Sequence, residues 1–396
     1  MKVGEEFVRT EVQFIPAKLK VIDHYRETYE CRSCRKNGTP YMEKAPVPYP
    51  PVLHSLASAS TITWLIHQKF ELSIPLYRQE KEWEALGLRL SRATMSNWLL
   101  VVYRDWLVHI VHRLKLELLK QRYLHIDETH VQVLKEPGRK NTSDSYMWVY
   151  CSIRDAVNPI RYFEYQPGRS GKYPEAFLRE YEGYIHTDAY SGYNAVSGVK
   201  RCLCYTHLRR AFVDALPKDI HNSEASKPAE AILRLNQFFN IESELEALPP
   251  DQKKKERLIR EKPLLEAFWS WAEKSAIGEL PKSKLSKAFH YALNNREGFW
   301  NYLEDGNCSI SNSLAENCIR PFVIGRKNWL FSGSPKGAEA SAGIYTLVET
   351  AKANGLAPMK YIKYILSDMP GSAFLEHPEY LDDYLPWNPL VKEFCR

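Results

Sequence analysis

Tyr123-Leu124-His125-Ile126-Asp127-Glu128-Thr129-His130-Val131-Gln132-Val133-Leu134 alternates apolar and polar residues in the manner of a half-buried strand. Leu124 and Ile126 point to one face, His125 and Asp127 to the other. A carboxylate amid apolar flanks is costly unless it is paired or binds a metal. The pattern returns at Tyr184-Ile185-His186-Thr187-Asp188, with His186 and Asp188 again on one face. The two aspartates are 188 − 127 = 61 residues apart, room for a hairpin and a crossover helix. Two such strands side by side would bring two carboxylates together and begin a divalent-metal site. The alternative is that each aspartate ends a strand or caps a turn.

Outward from this pair, residues 121–216 read as one α/β unit. Tyr146 to Ile153 is rich in aromatic and β-branched residues, as strands are. Asn158-Pro159 turns the chain into a third strand, Ile160 to Tyr165. Tyr173 to Tyr181 reads as a crossover helix ahead of the Asp188 strand, and Lys200 to Tyr205 as a last strand leading into a helix from His207 to Leu216. Three strands, helix, strand, helix, strand, helix is the order of a ribonuclease-H-like fold. Residues 217–300 change character: they are charged and helical, broken by Pro217, Pro249-Pro250 and Pro281, and read as a helical insertion. Residues 301–366 would return to the core, and 367–396 would form a tail.

Before the unit, residues 46–120 open with the proline-rich stretch from Pro46 to Pro51 and read as helical from 55 to 120. Leu76 to Leu86 closes at Gly87, and Ser91 caps a second helix from Arg92. This is helix-turn-helix-like, placing Arg92, Thr94, Ser96 and Asn97 on the first turns of the second helix, although an ordinary helical hairpin has the same pattern. Residues 1–45 offer candidate strands at Val12 to Ile15 and Lys20 to Ile22, then Cys31-Arg32-Ser33-Cys34, half of a zinc knuckle.

A third acid, Glu316, lies in Ser313-Leu314-Ala315-Glu316. Asn312 or Ser313 caps a helix here, and Ser313-x-x-Glu316 also fits a capping box, the plainer reading of Glu316. Arg320 follows one turn on, and Gly325-Arg326-Lys327-Asn328-Trp329 through Ser334 suits a strand end or a phosphate-contacting loop. Trp329 could stack on a base or simply pack in the core.

The net charge of +6 allows an anionic partner without requiring one. Eight cysteines in 396 residues do not make a disulfide scaffold, the N-terminus lacks a signal-peptide pattern, and no run is apolar enough to span a membrane; a cytoplasmic setting is expected.

The set Leu124-His125-Ile126-Asp127-Glu128-Thr129, Asp188-Ala189-Tyr190-Ser191-Gly192-Tyr193, Cys204-Tyr205-Thr206-His207-Leu208-Arg209-Arg210, Ala315-Glu316, Arg320-Pro321 and Gly325-Arg326-Lys327-Asn328-Trp329 resembles the insertion-sequence-66 family of bacterial DDE transposases. Leu385-Pro386-Trp387-Asn388 resembles that family's C-terminal signature. The resemblance implies that Asp127, Asp188 and Glu316 form the acidic triad of an enzyme that cleaves and joins DNA with two Mg²⁺ or Mn²⁺ ions. Arg209, Arg210, Arg320, Arg326 and Lys327 would then face DNA, at the element's ends and at its target. Assembly of several copies on DNA, with helper proteins of the same element, belongs to the same picture. Competing functions are a DNA-binding remnant without transposition and a structure-selective nuclease. Asn317 and His130 stand where the family usually has Arg and Pro. Relatives carry a further helical segment and a first Cys-x-x-Cys upstream of the position of Met1. Cys31 and Cys34 are therefore expected to hold no stoichiometric zinc in this shortened chain, and residues 1–45 to be loosely ordered. Cys202, Cys204 and His207 offer three zinc ligands without a fourth nearby, so packing is the expected role there.

Overall fold

The structure, a computed structural model, describes residues 3–14, 17–217 and 226–396. Its centre is a mixed sheet of β3 (Tyr123–Val133), β4 (Asp144–Ser152), β5 (Arg161–Gln166), β6 (Gly183–Thr187) and β7 (Val199–Leu203), in the order β5-β4-β3-β6-β7. The first three strands are antiparallel neighbours, while β6 and β7 run parallel to β3. The repeated His-x-Asp pattern places these strands: β3 and β6 lie side by side with His125 directly opposite His186. A short β8 (Phe331–Ser332) extends the far end of β3. The chain is thus a mixed α/β protein, with the sheet strands where alternation placed them.

The smallest elements, β1 (Thr28–Glu30), α1 (Arg32–Lys36) and β2 (Met42–Lys44), form a hairpin around the Cys31–Cys34 turn. Residues 12–14 and 20–22 are not strands; they are exposed and without regular structure, and Ile15 lies outside the described residues. Val12 and Val21 are 97% and 86% exposed, so their alternation has no apolar face to settle on. Next come α2 (Ala59–Ile66), α3 (Leu76–Ala85), α4 (Arg92–Val102) and α5 (Val108–Leu119). Ser58 and Ser91 cap α2 and α4 as their positions suggest, accepting from the N–H groups of Thr61 and Thr94. Gly87 makes the turn before α4 with φ +89°.

A short α6 (Lys172–Phe177) makes the crossover, stacking Phe177 on Tyr150 of β4 at 3.6 Å between ring centroids. Then α7 (Tyr205–Val213) leads to the insertion, α8 (Lys227–Glu244), α9 (Pro250–Ala276), α10 (Lys284–Asn294) and α11 (Arg296–Trp300). After it, α12 (Ser313–Trp329), α13 (Pro335–Ala353), α14 (Pro358–Asp368) and α15 (Pro389–Cys395) complete the chain.

Two apolar clusters hold these elements. One joins β3 to β5 with helices from both ends of the chain, among them α2, α4, α5, α12, α13 and α14. The other packs the insertion and α7 against Tyr184, Cys202 and Leu203 of β6 and β7. Both edges of the sheet are covered. Thr346 and Thr350 of α13 accept the outward N–H groups of Phe163 and Arg161 on β5 at 2.8 and 3.1 Å. Asn301 donates to the Arg201 carbonyl on β7 at 2.9 Å.

The stretch from Gly325 to Trp329 is not a loop. It is the last turn of α12, which runs through Pro321. A mid-helix proline frees the carbonyl four residues earlier, here that of Asn317, which is exposed and can take water instead. Pro263 sits inside α9 on the same terms, above the exposed Ile259. The helix ends at Leu330, at φ +65°, and the chain enters β8.

Candidate active site at the junction of three elements

Asp127 stands mid-strand on β3, opposite Val149 of β4. It is half-buried, and its Oδ1 accepts the N–H of Glu128 at 2.9 Å. Asp188 directly follows β6, its Oδ1 accepting the N–H of Tyr190 at 2.9 Å. Glu316 sits in the first turn of α12. Burial, then the charges of Glu128, Asp188 and Glu316, push the Asp127 carboxyl up from its ordinary 3.8 to about 7, against the one N–H bond that favours its charge. The three acids expected from the sequence therefore converge from a strand, a strand end and a helix start.

What seats Glu316 is a residue of another kind. Asn312 is the N-cap of α12, yet its side chain makes no cap hydrogen bond. Its Nδ2 donates to the Ile126 carbonyl at 2.8 Å, and its Oδ1 accepts from His125 Nδ1 at 3.0 Å. Its N–H reaches Cys204 Sγ at 3.2 Å. The helix start is thus fastened onto β3 one residue before Asp127. The capping box does not form: Ser313 is already the first helical residue, and Glu316 Oε1 is buried without a hydrogen-bond partner among the described residues. Behind Asn312, His125 and His186 stack at 4.2 Å and 11°. His186 Nε2 accepts the Ser309 N–H at 2.9 Å, so its Nδ1 carries the proton donated to the Leu124 carbonyl at 3.1 Å. Burial and then His186 push His125 well below the usual imidazole range, keeping it neutral. The two histidines are struts, His186 hydrogen-bonded through both ring nitrogens and His125 through Nδ1.

Glu128 and Arg169 were not singled out by sequence reading. Glu128 points to the opposite face of β3 from Asp127, where it accepts from Tyr193 Oη and from Arg169 Nε at 2.6 Å. Arg169 also lies 3.9 Å from Asp188 Oδ2 and 3.9 Å over the Tyr190 ring. Arg201 donates to the Asp188 and Tyr190 carbonyls at 2.5 and 2.8 Å, fixing the loop that carries Asp188. Adjacent acids on an alternating strand were the available signal, since only one of them can face α12.

The expected DNA-facing residues divide. Arg92 and Asn97 are exposed on α4, and Arg210, Arg320 and Lys327 are exposed as well. Thr94 is taken up by the cap, 2.9 Å from Ser91 Oγ. Arg209 donates to Asn236 of the insertion at 2.8 Å. Arg326 straps α12 to β3 through Thr129 Oγ1 at 3.0 Å and the His130 carbonyl. Trp329 packs beside Tyr345 with Lys69 4.0 Å over its ring, and it crosses Gly325 so closely that a Cβ there would overlap it. Its ring is a packing element.

The cysteines divide too. Cys202 and Cys204 belong to different clusters: Cys202 with His186 and Cys308, Cys204 with His207 and Glu316. The set of Cys202, Cys204 and His207 is therefore split, and the ligand absent from the neighbouring sequence comes from α12. Burial raises the Cys204 thiol, but His207 and the Asn312 N–H outweigh it and leave the thiol lowered. Cys31 and Cys34 lie side by side, and among the described residues no third ligand group joins them. No helix among the described residues is long and apolar enough to cross a membrane.

Against known sequences, a profile described as "Transposase IS66 family" matches residues 54–340, from the first helices to α13. A second, described as "zinc-finger binding domain of transposase IS66", matches residues 1–35, including Cys31 and Cys34. Two uncharacterized proteins of Sinorhizobium fredii, y4hP and y4jD, are each 26% identical to 98% of this chain, over 71% and 76% of their own lengths.

Proposed function

The chain belongs to the transposase IS66 family, and on that premise we propose that it cuts insertion-sequence ends and joins them to target DNA on a ribonuclease-H-like core. Asp127, Asp188 and Glu316 are the catalytic acids and the ligands of two Mg²⁺ ions. The observation that carries this reading is the meeting of the three acids from β3, the end of β6 and the start of α12, the last fastened by Asn312 to the Ile126 carbonyl one residue before Asp127. A cluster of hard carboxylate oxygens suits Mg²⁺ or Mn²⁺. When bound, such ions activate the attacking oxygen and stabilise the leaving 3′-oxygen. The chain's own groups do the rest. Asn312 fixes Glu316 relative to Asp127, while Arg169 and Arg201 fix Asp188. Arg320 and Lys327, on the exposed side of α12, contact phosphate; Arg92 and Asn97 of α4 contact the element's end as a helix-turn-helix would. Several copies assembling on the DNA belong to the same reading. At Cys31 and Cys34 half a tetrahedral ligand set gives weak zinc binding in this chain.

The test is cleavage and joining of a labelled insertion-sequence end with Mn²⁺. Asp127→Ala, Asp188→Ala and Glu316→Ala should each lower cleavage at least ~100-fold, because even partners behind a metal's ligands cost 10–100-fold, with DNA binding retained. Binding without cleavage by the wild type would make the chain a DNA-binding remnant. Cleavage without end preference would make it a general nuclease.

A further inference from the structure

Cys204, His207 and Glu316 form a second constellation beside the acids, and its chemistry differs from theirs. The Sγ of Cys204, one ring nitrogen of His207 and one carboxylate oxygen of Glu316 lie within 4.8 Å of one another. Cys204 is the N-cap of α7 and His207 lies in the first turn of that helix, so Cys-x-x-His puts both on one side of it. Asn312 brings Glu316 to them by holding the start of α12, its own N–H resting on Cys204 Sγ. His207 Nδ1 and Glu316 Oε1 are both buried, and neither has a hydrogen-bond partner among the described residues. They stand 3.8 Å apart, too far for a hydrogen bond. Two ligands on one tetrahedral ion, with bonds of ~2.1 Å, stand roughly 3.3–3.6 Å apart. The gap that is wrong for a hydrogen bond is nearly right for a shared ion.

We propose that Cys204, His207 and Glu316 bind a thiophilic divalent ion, Zn²⁺ by their chemistry, with water in the fourth position. A thiolate and an imidazole select Zn²⁺ over Mg²⁺, whereas a carboxylate serves either. Binding releases the Cys204 thiol proton. Resting on the catalytic reading above, the consequence is competition: Zn²⁺ here engages Glu316 and withdraws it from the Mg²⁺ set, so Zn²⁺ inhibits Mg²⁺-driven cleavage.

Cobalt reports the site without reference to activity. The full chain is prepared with Cys31→Ser and Cys34→Ser, which removes the half-exposed Cys31/Cys34 pair, and with Asp127→Asn and Asp188→Asn, which removes two of the three proposed Mg²⁺ ligands. Titration with Co²⁺ should give a near-ultraviolet thiolate-to-cobalt band and tetrahedral visible bands at one equivalent. Cys204→Ser in the same background should remove the thiolate band, and His207→Ala should weaken binding at least ~10-fold. Absence of the band in the parent, or its survival in Cys204→Ser, would overturn the site. A parent without the band overturns the site even if Cys204→Ser fails to fold, and Cys202→Ser, which breaks up the His186, Cys202 and Cys308 group, should leave the band in place. For the competition, the ratio of cleavage by the wild type in Mg²⁺ with and without Zn²⁺ is compared with that ratio in Cys204→Ser. Relief of inhibition by ~10-fold or more is expected, and a cobalt band without inhibition would overturn the competition. If no DNA is cleaved under any condition, the catalytic reading fails, while the cobalt result still decides the site.

Discussion

Two buried charges, one in the sheet and one in the insertion, are handled in opposite ways. Arg257 of α9 is wholly buried and wholly partnered: its guanidinium donates to Glu242 at 2.6 and 2.7 Å and to the carbonyls of Tyr302, Asp305 and Cys308 at 2.8–3.1 Å. Asp127 is half-buried, accepts one N–H and faces other acids. A buried charge with every valence filled is architecture. A buried charge left among like charges destabilises the fold, and such a cost is kept where chemistry needs it. The comparison separates the insertion's polar core, which shapes the approach to α12, from the acids that the approach delivers.

The comparison breaks most visibly if Arg257 can be spared. Arg257→Ala leaves the half-buried Glu242 without its main cation and three carbonyls without a donor, so thermal or urea unfolding should show a loss of about 3–5 kcal/mol. A loss below ~1 kcal/mol would mean that the network is ornamental. Asn312→Ala removes the bonds to His125 and Ile126, and should cost about 1–3 kcal/mol in the same measurement. Its cleavage rate should fall further than that loss of folded protein explains, because Glu316 loses its seat.

Asp127 should behave in the reverse sense. Its folded-state pKa of about 7 lies above its ordinary 3.8, so the folded chain holds more protons than the unfolded chain between those values. Wild-type stability without metal therefore falls as pH rises through that window. Asp127→Asn cannot ionise, so metal-free Asp127→Asn should exceed the wild type by about 1–3 kcal/mol near pH 8, with the gap closing near pH 4. Added Mg²⁺ should stabilise the wild type and not the variant. An unchanged pH profile would show that Asp127 is not crowded by its neighbours.

The smallest effects concern DNA. Arg320→Ala and Lys327→Ala, both exposed, should each weaken DNA binding modestly and reduce the salt slope by about 1. Arg209→Ala should leave the slope unchanged, because its guanidinium is already engaged by Asn236.

The strands around Asp127 and Asp188 were legible because alternation over five to twelve residues is a local signal, and the repeated His-x-Asp fixed which strands are neighbours. Gly87 and Ser91 were legible for a similar reason, each acting within one turn. Local signals failed in two ways. Val12 and Val21 alternate with nothing to pack against, so the pattern was present and the strand was not. The run from Gly325 read as a strand end or loop, yet α12 continues to Trp329, because Asn317 faces water below Pro321 and Trp329 needs Gly325 beneath it, both set by tertiary packing. Of the two caps the sequence offered, Asn312 is the one used, but its side chain is drawn 186 residues back to Ile126 instead of capping. No window of sequence holds that bond. Glu128 and Arg169 were hidden likewise, 41 residues apart.

The placement of Glu316 also sets a schedule for synthesis. Asp127 and Asp188 belong to neighbouring strands that can pair once the ribosome has passed β6 and β7. Glu316 follows 316 − 188 = 128 residues later, beyond the whole insertion. Its helix is seated through the loop that Arg257 grips. At about 5–20 residues per second, the third acid emerges roughly 6–25 s after the second. On the catalytic reading proposed above, the nascent chain would carry two of its three acids throughout that interval and could not cut the DNA from which it is being expressed. Ribosome-bound chains stalled before and after α12 would show whether competence appears as late as this order requires.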